Sequence, residues 1–128
     1  MSDTASRAEA IRDRYRSTLG TIPRGAEDRL RLAEQHDRLD TEEAVMALRH
    51  IVLTDNALGP RVQQLVHFGQ LLALGRSDPA RIHARGALHA GATTGDLIGV
   101  AETAVLTAGV PAYALGIEII AELIGPPD

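Results

Sequence analysis

Asp78-Pro79-Ala-Arg-Ile-His83-Ala-Arg85-Gly-Ala-Leu-His89-Ala-Gly91, followed by Ala-Thr93-Thr94-Gly-Asp96 and, twelve residues later, Ala108-Gly109-Val-Pro111, is punctuated throughout by helix starts and stops. Asp-Pro suits a first helical turn, because proline's missing N–H would have no partner there, and glycine suits the residue just past a helix end. Thr93 or Thr94 is placed to cap the next helix, which ends at Gly109, and Pro111 opens another that runs to about Ile124. Connections of only a few residues make neighbouring helices pack antiparallel, so this half of the chain reads as a tight helical bundle.

Working outward, the same logic places a helix from Pro60 to Leu74 with Gly75 beyond it. Thr41 is expected to cap the helix before that, with Glu42 and Glu43 at its positive end and Val45, Leu48 and Val52 as its apolar stripe. A charged helix is expected from about Ala26 to Arg38, and Gly20 to Gly25 reads as loop. Ile11, Tyr15 and Leu19 mark a first amphipathic helix from about Ser6. The first five or so residues and the Gly125 to Asp128 tail read as frayed. No stretch alternates with period two. The expectation is an all-α, single-domain bundle of about six to seven helices spanning residues 1–128.

Composition closes several chemistries. The 128 residues include no Cys and no Trp, and all 13 basic residues are Arg, so Lys is absent as well. Without Cys the chain has no thiolate nucleophile, redox dithiol or metal–thiolate cage. Without Lys it has no Schiff base. A net charge of −4 lacks the basic excess of a nucleic-acid footprint, and one Phe with two Tyr offers no stacking platform. No apolar run approaches a membrane span, and the polar start lacks the apolar segment of a signal peptide, so the expected location is cytoplasmic.

Five histidines remain as the acid–base inventory: His36, His50, His67, His83 and His89. No two stand four residues apart as in a zincin helix, so no metal is expected. On a helical wheel His83 falls among Pro79, Ala80, Gly86, Ala87 and Ala90. That face of small residues admits a close neighbour. An imidazole there is either a buried group satisfied by one hydrogen bond or a group facing a snug pocket. His89 lies about 120° further round. His67 sits with Leu71 and Leu74 on a helix that is apolar on two faces. Arg61, Arg76 and Arg85 flank these helices, and a guanidinium fork matches a carboxylate.

Leu58-Gly-Pro-Arg61, Leu74-Gly-Arg76, His83-Ala-Arg85-Gly-Ala-Leu-His-Ala-Gly91 and Ala108-Gly-Val-Pro-Ala112, in that order, resemble the carboxymuconolactone decarboxylase family, most closely over residues 58–124. The resemblance implies an alkylhydroperoxidase-like helical fold, assembly as a homotrimer or homohexamer, and a small-molecule substrate. In the peroxidase branch of such proteins a Cys-x-x-Cys pair precedes a histidine, with a Glu on the preceding helix. Those positions fall here on Arg76, Pro79 and Gln64, which removes peroxidatic chemistry.

The other branch contains cofactor-free decarboxylases of a carboxylated lactone. The resemblance then assigns His83 as the catalytic residue, with Arg76, Arg85, His67 and His89 as substrate contacts, His89 from a neighbouring subunit. Three positions depart from the pattern: Pro79 for an acidic residue, Gly99 for Glu and Thr103 for Gln. Isomerisation, cyclisation or dehydration on the same scaffold, or a non-catalytic binding role, are the alternatives. The apolar last third, with only Asp96 and Glu102 as charges from Thr94 to Ala108, adds an expectation of self-association from the residues alone.

Overall fold

The computed structural model describes residues 2–126, which form seven α-helices and no strand. They are α1 (Asp3–Leu19), α2 (Arg24–Gln35), α3 (Leu39–Thr54), α4 (Gly59–Leu74), α5 (Ser77–His89), α6 (Thr94–Ala108) and α7 (Val110–Ile124). The all-α expectation therefore holds, as do the stops at Gly20, Gly75 and Gly109. Thr93 is the residue that caps α6. Its side chain accepts from the Asp96 amide while Asp96 accepts from the Thr93 amide, a reciprocal capping box.

Three local expectations need correction. Ser2 caps α1 by accepting from the Ala5 amide, so the helix begins at Asp3 and the expected fraying of the first residues is not seen in the described part. Met1, Pro127 and Asp128 lie outside the described residues. Thr41 is not a cap: α3 starts at Leu39, because buried Leu39 joins the core of α1 and α2 and draws the chain into helix two residues early. Likewise α2 runs from Arg24 to Gln35, starting two residues and ending three residues earlier than expected, with Pro23 just before its first residue. A proline tolerates a helix start for the reason given above.

Two apolar clusters form the interior. Ala8, Ile11, Tyr15, Leu19, Leu30, Leu39 and Met46 join α1, α2 and α3, while Phe68, Leu72, Ala84, Leu97, Ala101 and Ile119 join α4 to α7. Helix α5 links the two. Its Ile82 packs on the first cluster and its alanines on the second. The approach of α1 to α5 is close enough that a Cβ on Gly86 would stand 2.8 Å from Leu19 Cδ2. Gly109 is the whole connection between α6 and α7. Its φ of +88° lies in a region that L side chains rarely adopt, so glycine is what allows one residue to reverse the chain.

Candidate functional site

Helices α3 and α4 leave a cleft of about 280 Å³ between them, lined by Leu48, Arg49, Val52, Leu53, Gln63, Val66, His67 and Gln70. The spacing of these residues explains the lining. Leu48 and Val52, Arg49 and Leu53, and Gln63 and His67 are all i, i+4 pairs, each one turn apart on a single helix face. The walls are mostly apolar, and the polar groups are one guanidinium, one imidazole and two amides.

Behind His67 lies His83. The two rings are 3.6 Å apart between centroids and tilted by 34°. His83 is 5% exposed and Gln64, next to it, is 1% exposed. The His83 Nδ1–H donates to Gln64 Oε1 at 2.8 Å. A carbonyl oxygen only accepts, so this bond places the proton on Nδ1 and leaves Nε2 with a free lone pair. Burial, the neighbouring His67 and the charge of Arg49 push the His83 imidazole down to about 3. His67 is lowered as well, first by burial and then by Arg49. Both rings are therefore neutral at pH 7.

Arg49 is the cation of this cleft. Its guanidinium stands 5.1 Å from the centroid of the buried Tyr15 ring, an arrangement that holds a cation by the electrons of the aromatic face. It has no carboxylate partner among the described residues. The nearby Glu42 is taken by Arg29, which also donates to the Tyr15 hydroxyl at 2.9 Å. Burial lowers the Arg49 guanidinium from its ordinary value. Gln63 contributes a second unsettled group: its Oε1 is buried with no hydrogen-bond partner among the described residues.

Two other clefts are lined differently. One of about 340 Å³ between α4 and α6 includes Thr103 but no ionisable side chain. Another of about 360 Å³ between α1 and α3 contains Arg7 and Arg14, but Arg7 is paired with Glu43 and Asp40, and Arg14 donates to His50 Nδ1. Among the described residues no three His, Asp or Glu side chains gather as a metal ion would need, and no helix is long and apolar enough to cross a membrane.

Of the residues singled out from the sequence, His67 and His83 come together, and Gln64 touches His83 from the helix expected to carry the family's acid. A model of the carboxymuconolactone decarboxylase family matches residues 40–122, which spans α3 to α7 and about two thirds of the chain. The chain belongs to that family. Searches of curated proteins and of solved structures gave no match. The family segment begins earlier than the quoted motifs, at the start of α3, so the helix that bears Arg49 is part of it.

Arg76, Arg85 and His89 are placed elsewhere in this carboxymuconolactone decarboxylase family member. Arg76 precedes α5 and Arg85 lies along it, both exposed, and neither lines the cleft. His89 donates through Nε2 to the Ser17 carbonyl at 3.0 Å and packs over Gly20, tying the end of α5 to the end of α1. Sequence reasoning missed Arg49 and Gln63. The available signal was an arginine interrupting the apolar stripe of α3 and a polar i, i+4 pair, Gln63 and His67, on an otherwise apolar helix.

Proposed function

We propose that this protein is a cofactor-independent enzyme that acts on a small carbonyl- or lactone-containing acid by decarboxylation or a related histidine-mediated proton transfer. Family membership supports the scaffold and reaction class. The observation that carries the reading is the stacked His67–His83 pair at the wall of a cleft that also holds an unpaired guanidinium.

In this reading His67 meets the substrate and His83 acts through it. His67 is lowered first by burial and second by Arg49, and an anion seated beside Arg49 offsets the second of these, which favours an imidazolium that takes its proton from the incoming acid. Loss of carbon dioxide breaks a C–C bond and leaves its electron pair in the conjugated carbonyl as an enolate. The His67 imidazolium then gives its proton to carbon. One positioned acid of this kind contributes typically about 10²–10⁴-fold. Arg76, Arg85 and His89 enter the reaction only where a second copy of the chain brings a cleft to them. The same pair would serve isomerisation, cyclisation or dehydration of such an acid.

A non-catalytic binding role has one observation in its favour: Gln64 supplies an amide where the peroxidase branch has an acid, which leaves the buried His83 without a charged partner. The two readings separate in heavy water. Incubation with a panel of unsaturated lactone and keto acids should release carbon dioxide or place deuterium on carbon, and His67→Gln should lower that rate by at least about 100-fold. No exchange and no release across the panel, or unchanged rates in His67→Gln, would overturn the enzymatic reading.

A further inference from the structure

We infer that a small chamber between α1 and α3, walled by Arg14 and Arg49, is a binding site for a monatomic anion of the size of chloride. Arg49 is the wall that this chamber shares with the α3–α4 cleft. The assignment rests on the chamber's own walls and holds whether or not the cleft turns over a substrate.

The chamber has a volume of about 10 Å³, room for roughly one water-sized body. Its polar walls are Arg14 and Thr18, one turn apart on α1, and Arg49 and His50 of α3, with Tyr15 beside them. Among the described residues no carboxylate lines it. The larger α1–α3 cleft that it adjoins has Glu43 bonded to Arg7 at its far end, and a cleft between α2 and α3 has Glu42 bonded to Arg29. Arg14 and Arg49 form no such pair among the described residues. Charges drawn away from water are ordinarily paired, and Arg49 is half-buried. In a chain with 17 acids against 13 arginines, two guanidiniums on one space without an acid leave a positive charge that the fold does not balance.

These walls donate and scarcely accept. A guanidinium has donors only, so Arg14 Nη1 gives its proton to His50 Nδ1 at 2.9 Å and leaves that ring's own N–H on Nε2. The Tyr15 face holds Arg49 without using its N–H groups, and Thr18 adds a hydroxyl. A water in this space would need acceptors for its two hydrogens, and only hydroxyl oxygens offer them. A halide only accepts. Acetate and sulfate are too large for the volume.

The anion has a consequence for the cleft. Arg49 faces His67 from α3 and His83 faces it from α5, and neither neighbour is an acid. After burial, the Arg49 charge is what holds His67 neutral. An anion seated on Arg49 weakens that repulsion and eases protonation of His67. Chloride concentration thereby sets how readily the imidazole of the cleft takes up a proton.

Chloride itself is the probe. The full-length protein, titrated with potassium chloride against potassium gluconate at constant ionic strength, should broaden the chloride NMR line in a saturable way and melt at a higher temperature. Bromide should displace the chloride, whereas acetate and sulfate should not. The His67 titration midpoint, read from its imidazole resonances, should rise as chloride saturates. Arg14→Gln, a change at an exposed residue, should weaken chloride binding by at least about tenfold and remove the His67 shift at the same chloride concentration.

Arg49→Met should abolish the saturable signal. Its melting temperature in gluconate is measured alongside, and Arg14→Gln decides the matter if Arg49→Met fails to fold. Identical spectra and melting in chloride and gluconate, as for a chamber that holds water only, would overturn the assignment. So would undiminished chloride binding in Arg14→Gln. Saturable binding with an unmoved His67 would overturn the link to the cleft.

Discussion

His83 donates its Nδ1–H to Gln64 Oε1 at 2.8 Å, and both side chains are out of water. A neutral amide satisfies the imidazole without giving any reason for it to charge. Replacing that amide by a carboxylate changes the balance, since an adjacent negative charge favours the imidazolium. Gln64→Glu should therefore move His83 up from about 3 toward its ordinary range. A histidine NMR titration of the variant and the wild type measures this, and an unmoved His83 would show that burial, His67 and Arg49 outweigh the new charge.

Acid stability follows from the same ring. The folded value of about 3 lies below the ordinary 6.5 of an unfolded chain, so between these pH values the unfolded state binds a proton that the folded state refuses. Stability is complete above about pH 6.5 and falls as pH drops toward 3, by up to roughly tenfold in the folding constant per pH unit for this one group. Urea denaturation at a series of pH values should record that slope. His83→Gln should flatten it, and an equally steep acid limb in the variant would assign the slope to other groups.

Gly86 sits where α5 meets both α1 and the Gln64 side chain. A Cβ there would stand 2.8 Å from Leu19 Cδ2 and 3.0 Å from Gln64 Oε1, and Leu19 is fully buried. Gly86→Ala should destabilise the fold by about 1–3 kcal/mol through overpacking, despite alanine's better helix propensity. Thermal unfolding checks the sign. A more stable variant would mean that Leu19 has room to move aside.

Leu106 is 89% exposed, and Ile98, Val105, Val110 and Leu74 add further apolar surface. So much apolar surface left in water on one small chain points to burial against further copies. Wild-type protein should sediment as an oligomer of the 13.6 kDa chain, a trimer or hexamer being the expected assembly. Leu106→Arg should shift it toward monomer with unchanged helix content. A wild-type monomer at micromolar concentration would remove the proposal of self-association.

Helix order and the main stops were legible because they depend on local chemistry. Gly20, Gly75 and Gly109 end helices through backbone freedom that belongs to the residue itself, and Thr93 caps α6 with atoms three residues away. Where a boundary depended on distant partners, local reading failed: Leu39 enters α3 early because Leu30 and Ile11, far along the chain, share its core.

The chemistry divides along the same line. Absent Cys and Lys restrict the available acid–base groups in any fold, and the motif around His83 named the family before any contact was known. That His67 stacks on His83, that Gln64 sets its tautomer and that Arg49 meets the Tyr15 face and no acid among the described residues are facts of packing between α1, α3, α4 and α5. Residues 15, 49, 67 and 83 meet only when those helices dock. A guanidinium's state depends on whether a carboxylate or an aromatic face reaches it, and the spacing of residues along one chain holds no record of that distance.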